Sequence, residues 1–91
     1  MTELTTKKRQ HLKAKAHKLK PVVILGSKGL TESLCRETDE ALTAHELIKV
    51  RINVADKDER KDIVTSLCER IHAELVQLIG RIAIVYRKNE K

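Results

Sequence analysis

Pro21-Val22-Val23-Ile24-Leu25-Gly26-Ser27-Lys28-Gly29-Leu30-Thr31 reads as a strand, a turn and a helix start. Proline fixes its own φ and lacks an N–H, so Pro21 opposes continuation of any preceding helix. Val22 to Leu25 is an apolar run without polar alternation, the pattern of a short, well-buried strand. Gly26 and Gly29 release the chain from that strand through a tight turn. Thr31 is placed to cap the next helix, with Leu30 and Cys35 as a hydrophobic staple. Two glycines leave backbone amides unshielded, Lys28 adds a charge, and a helix N-terminus behind them favours anions. The loop is therefore a candidate docking point for phosphate groups. Glu32 counts against it, because its carboxylate draws on the same field. A turn that only solves loop geometry is the alternative reading of the two glycines.

Upstream of this stretch, Leu4-Thr5 approaches a first helix with Thr5 as N-cap. Leu12, Ala16 and Leu19 follow helical spacing and give a narrow apolar stripe. Lys7, His11 and Lys18 lie along one side of it, and Arg9, Lys13 and Lys20 along the other. Long basic stems can cover apolar edges while their charges stay in water.

Downstream, Leu34, Thr38, Ala41 and Leu42 supply the inward face of a second helix that ends near His45 and Glu46. Leu47 to Val54 alternates: Ile48, Val50, Ile52 and Val54 share one face, Lys49, Arg51 and Asn53 the other. That predicts a sheet packed on one side and polar on the other. A third helix starts near Asp56 or Asp58, with Ile63, Val64, Leu67, Ile71 and Leu75 as its stripe. Asp56, Asp58 and Glu59 suit its positive end. Val76 to Ile79 and Ile82 to Tyr86 form a hairpin across Gly80-Arg81, and the basic tail beyond Tyr86 is expected to fray. The order helix-strand-helix-strand-helix-strand-strand gives a two-layer α/β domain with a mixed four-stranded sheet, and leaves strand order open.

Ninety-one residues fit one domain, 1–91, burying about 60–65% of its unfolded surface. A net charge of +6 and a pI of about 9.6 favour an anionic partner without choosing among RNA, DNA and membrane. The charge is uneven: residues 1–30 sum to +7, 31–75 to −4 and 76–91 to +3. A binding face built from both chain ends is the simple reading, and an unevenly charged solvated surface the bland one. No apolar signal-type or membrane-spanning stretch is present, so cytoplasm is the expected location and a membrane partner is not. Cys35 and Cys68 fall at apolar helix positions and read as buried free thiols.

Chemistry finds little support. His11 and His17 are not a compact metal pair, and Cys68 with His72 supplies only two ligands. The glycine loop lacks the Walker A lysine and Ser/Thr pattern and is too brief for a dinucleotide fingerprint. No local Ser-His-Asp pattern fixes a triad, and Asp56-Lys57-Asp58-Glu59 reads as a helix start. No catalytic residue, metal ligand or cofactor is assigned, and the chain is read as a binding protein rather than an enzyme.

Three stretches together resemble the bacterial stand-alone CRM-domain proteins, an RNA-binding family linked to ribosome maturation. They are Leu19-Lys20-Pro21-Val22-Val23, Gly26-Ser27-Lys28-Gly29-Leu30-Thr31 and Ala41-Leu42-Thr43-Ala44-His45-Glu46-Leu47-Ile48-Lys49-Val50. The end, Ile79-Gly80 through Val85-Tyr86-Arg87, also fits. Val85 stands where a leucine often precedes the Tyr-Arg pair, and Thr38 where relatives are often more apolar. The resemblance implies a fold similar to the C-terminal domain of bacterial translation initiation factor three. It implies a GxxG loop comparable with the RNA-contacting loop of KH domains. It also implies large-subunit ribosomal RNA and the precursor large subunit as partners, with ribosomal proteins or assembly factors beside them.

On this reading the RNA-contacting candidates are Gly26, Ser27, Lys28 and Gly29 in the loop and Lys8, Arg9, Lys13, Lys15 and Lys18 in the first helix. Lys49 and Arg51 follow on their strand. Arg87 and Lys88 join if the last strand ends beside the loop. With Tyr86 the sole aromatic residue, recognition rests on backbone and shape rather than a stacking platform. The competing functions are an adaptor for an acidic protein partner and a non-specific nucleic-acid binder.

Overall fold

Each helix begins at a side-chain cap. Thr5 accepts from the Lys8 amide at 3.0 Å and starts α1 (Thr6–Ala16). Thr31 accepts from the Leu34 amide at 3.1 Å and starts α2 (Glu32–His45). Asp56 accepts from the Glu59 amide at 3.1 Å and starts α3 (Lys57–Ile71). A cap of this kind stabilises by about 1 kcal/mol. Four strands complete the computed structural model: β1 (Pro21–Leu25), β2 (Leu47–Ile52), β3 (Glu74–Ile79) and β4 (Ile82–Tyr86). It describes residues 5–89, so Leu4 and the last two residues of the tail lie outside it.

The sheet order is β1-β2-β4-β3. β1 runs parallel to β2, a pairing that needs a crossover, which α2 supplies. β2 with β4 and β3 with β4 are antiparallel. The β3–β4 turn places its positive φ, 56°, on Gly80, where glycine costs least. The mixed four-stranded α/β fold is the one the sequence pattern implies.

The main core lies between the sheet and the α2–α3 pair. Val23, Leu25, Ile48, Val50, Ile52, Ala83 and Val85 meet Leu34, Cys35, Leu42, Val64, Leu67, Cys68 and Ile71 there. Leu30 packs on the same core beside the α2 start, as a staple would. Cys68 takes the place in the α3 stripe expected of Leu75, which belongs to β3. Thr38 is fully buried and satisfied, its hydroxyl donating to the Leu34 carbonyl at 2.8 Å.

Three expectations are corrected. The second sheet face is not simply polar: Leu12 and Ala16 of α1 pack on Val76 and Ile84, with Leu47 and Tyr86 at the margin. α1 thus adds a partial third layer, because neighbouring strands place Val76 and Ile84 on the same face as Lys49 and Arg51. Val22 to Leu25 is not buried throughout. β1 is an edge strand, with Val23 and Leu25 inward and Val22 and Ile24 exposed by 51% and 59%. An unbroken apolar run cannot reveal which face will lack a cover. The tail does not fray at once: Asn89 donates to the Thr43 carbonyl at 2.8 Å and to Glu46 Oε2 at 3.0 Å.

Both cysteines are free and buried. Burial, with smaller contributions from Glu74 and Glu69, pushes the Cys68 thiol from 9.0 up to about 11. The unfolded chain therefore gives up this proton first. The associated stability is complete below about pH 9 and is lost as pH rises towards 11, a swing of roughly 2–3 kcal/mol. Denaturant titrations above pH 9 should show a steeper loss for the wild type than for Cys68→Ala. Equal slopes would remove the thiol from that account.

Candidate nucleic-acid interface

The loop after β1 is a closed turn. The Gly29 amide donates to the Gly26 carbonyl at 3.1 Å, and Ser27 and Lys28 stand exposed at its tip. Gly29 has φ 73° and needs glycine for its conformation. Gly26 does not: its φ is ordinary, and an added Cβ would meet nothing within 4 Å. Nothing inside the fold requires a bare backbone at Gly26, and its amide surface lies open to whatever approaches.

Strand direction brings further cations to this end of the sheet. The Asn53 amide donates to the Leu25 carbonyl at 2.9 Å, and the Ile52 amide to the Arg81 carbonyl at 2.6 Å. The Gly26–Gly29 turn, the end of β2 and the β3–β4 turn are therefore neighbours. Two strand spacings put the Arg81 backbone about 10 Å from that of Leu25. Exposed Arg51 is steadied by its Nε, which donates to Asn53 Oδ1 at 2.9 Å.

Charge divides by face. α1 and the segment leading to β1 carry Lys7, Lys8, Arg9, Lys13, Lys15, Lys18 and Lys20 and no acid. Lys49 and Arg51 alternate with buried Ile48, Val50 and Ile52, so they share the α1 side of the sheet. Glu74, at the far start of β3, is the one acid in the strands. On the opposite face α2 carries Glu32, Glu37, Asp39 and Glu40 against Arg36, and α3 balances four acids with four cations.

The cations are not equally free. Arg9 Nη1 donates to the Leu75 and Val76 carbonyls, both at 2.7 Å, and fastens α1 to β3. Lys8 Nζ sits 5.6 Å from the centre of the Tyr86 ring. Lys13 and Lys49 are half-buried, and Lys15, Lys18, Lys28 and Arg51 are exposed. β4 starts beside the loop and finishes at the opposite end of the sheet, next to Leu47 at the start of β2. The condition under which Arg87 and Lys88 would extend the loop surface is therefore not met. Arg87 reaches Asp39, Thr43 and the Ile71 carbonyl on the α2–α3 side. Lys88 is exposed at that same far end. Arginines 9, 60 and 87 act as internal fasteners, their planar forks suited to paired acceptors, whereas Arg70 meets Glu32 Oε1 at 2.8 Å in an exposed ion pair.

A CRS1 / YhbY (CRM) domain matches residues 4–87. The chain belongs to the CRM-domain family. It is similar to the Pseudomonas aeruginosa protein named "Probable RNA-binding protein PA4753", 44% identical over 88 residues that cover 97% of this chain and 85% of the relative. A Haemophilus influenzae protein named RNA-binding protein is 45% identical over 91 residues, 100% of this chain and 92% of the relative. The solution structure of the hypothetical protein SAV1595 from Staphylococcus aureus superposes with a TM-score of 0.86 at 32% identity, covering 98% of this chain and 93% of that one.

In this CRM domain the glycine loop, Lys28, Arg51 and the lysines of α1 lie on or beside one side of the sheet. Arg81 joins them only through the β4 position in the sheet order, and sequence reading gave it no role. Its one available signal was the β-hairpin itself, whose turn had to fall at one end of the sheet or the other. No group of three or more His, Cys, Asp or Glu is placed to hold a metal ion among the described residues. No helix among them is long and apolar enough to cross a membrane.

Proposed function

We propose that this CRM domain binds RNA through the α1 side of its sheet, and that the RNA is large-subunit ribosomal RNA in its precursor particle. The observation that carries the reading is the joining of an open glycine turn to a face where α1 carries no acid and the strands carry only Glu74, at the end away from the turn. Gly26 lets a phosphate approach the backbone, and Lys28 supplies charge beside it. Lys49, Arg51, Lys15 and Lys18 extend the positive field along the sheet and helix. The names of the relatives support RNA as the polyanion, and the family resemblance supports the ribosomal target. The protein holds RNA in place and performs no covalent step.

Gly26→Asp is the cleanest test, because the site has room and an ordinary φ. An RNA affinity lower by about tenfold is expected from the added carboxylate, with an unchanged melting temperature. Gly29→Asp is a poorer probe, since φ 73° adds backbone strain to any lost contact. Unaltered affinity for Gly26→Asp would remove the loop from the interface. In cells, cross-links should concentrate on precursor large-subunit RNA. Recovery with an acidic protein and without RNA would replace the reading by an adaptor role. Equal affinity for unrelated duplex DNA would reduce it to general polyanion binding.

A further inference from the structure

Four large apolar side chains are exposed among the described residues: Leu19, Val22, Ile24 and Ile79. None is on the acidic α2–α3 side. Val22 and Ile24 alternate with buried Val23 and Leu25, and Ile79 follows Leu78, which packs on the main core. All three therefore stand on the α1 side of the sheet, where α1 does not reach. Ile24 pairs with Arg51, Arg51 with Ile82, and Ile82 with Ile79. These four residues make one row across all four strands, about 14 Å wide at ordinary strand spacing. The row ends at the strand that leads into the Gly26–Gly29 turn. Ile24 and Ile79 are each 59% exposed, and Ile82 is half-buried.

A duplex presents phosphates and hides its base faces, so it gains little from a row of isoleucines. Unpaired nucleotides present charge and apolar base surface together. Building on the RNA reading above, we infer that the Ile24–Arg51–Ile82–Ile79 row is a platform for unpaired bases, so that this CRM domain selects single-stranded or looped RNA over duplex. Charge complementarity decides the occupant. The row contains Arg51 and is bordered by Lys28, Arg81 and Lys49, and the one acid in the strands, Glu74, pairs with Tyr86 at the other end of the sheet. Arg51 also contributes a flat guanidinium on which a base can stack, held by its bond to Asn53. Along β1, Val22 continues the apolar surface towards a cleft of about 380 Å³ whose lining includes Leu19, Leu47, Lys15 and Lys20. Aliphatic contact replaces the aromatic stacking that a chain with one tyrosine cannot provide.

The test compares a 12-nucleotide unstructured oligouridylate with a blunt RNA hairpin of equal charge, by fluorescence anisotropy at fixed salt. The single strand is expected to bind more tightly. Ile24→Ser with Ile79→Ser should weaken it about five- to tenfold, with an unchanged salt slope and melting temperature, because exposed apolar contact and not charge is removed. Equal binding of the hairpin, or no effect of the double substitution while Lys28→Ala still weakens binding, overturns the platform and leaves the RNA reading intact. Absence of binding to either RNA, with Lys28→Ala silent, is failure of the RNA reading itself. Concentration-dependent self-association that the double variant abolishes would assign the row to a second copy of the chain and overturn the proposal.

Discussion

Arg87→Ala is expected to destabilise the fold by roughly 2–3 kcal/mol while leaving the RNA affinity of the folded protein unchanged. The guanidinium joins three elements. Nη1 donates to Asp39 Oδ1 and to the Ile71 carbonyl, and Nη2 to the Asp39 carbonyl and the Thr43 hydroxyl at 3.0 Å each. The ion pair alone contributes little, since Asp39 is 52% exposed and screened by water. The larger part comes from the end-of-helix carbonyl of Ile71, which the Arg87 fork reaches at 2.8 Å. For a domain of this size the loss corresponds to a melting temperature lower by about 10–20 °C. Arg87→Lys should recover only a fraction, because one ammonium cannot span the same acceptors. A variant that melts like the wild type but has lost RNA affinity would make Arg87 a contact and not a clamp.

Arg87 also marks where sequence reading stops. Caps, periodicities and the hairpin are local, and Thr5, Thr31, Asp56 and Gly80 were legible because each rule spans only a few residues. The glycine turn was legible for the same reason. What a cation does depends on which strands become neighbours. β4 lies between β2 and β3, and that order sends Arg87 away from the loop and brings Arg81 towards it. Neither consequence leaves a trace in the spacing of nearby residues. The cover over the second sheet face was similarly hidden: Leu12 and Ala16 form a stripe of two buried residues, and their partners Val76 and Ile84 are sixty or more positions away. Of the carboxyl-terminal cations expected on one basic face, Arg81 lies at the loop end, while Arg87 is engaged with α2 and α3 and Lys88 stands at the far end of the sheet, a division that a sum of charges does not show.

That distinction between charge and placement gives the second large effect. Lys28→Glu combined with Arg51→Glu should lower RNA affinity about a hundredfold near 0.1 M salt and flatten the salt slope by about 1.4, the share of two single-strand phosphate contacts. Both side chains are exposed, so stability should stay within about 0.5 kcal/mol of the wild type. The decisive comparison is Arg36→Glu combined with Lys61→Glu. It changes the net charge equally, but at exposed positions on α2 and α3. At that ionic strength the screening length is about 10 Å, so cations on the far side of the sheet act only weakly on RNA bound at the near side. A loss of no more than a few-fold is expected there. If the two pairs weaken binding alike, affinity follows total charge and the α1 face has no special standing. If only the first pair does, the polyanion lies where the glycine turn and the second strand bring their cations together.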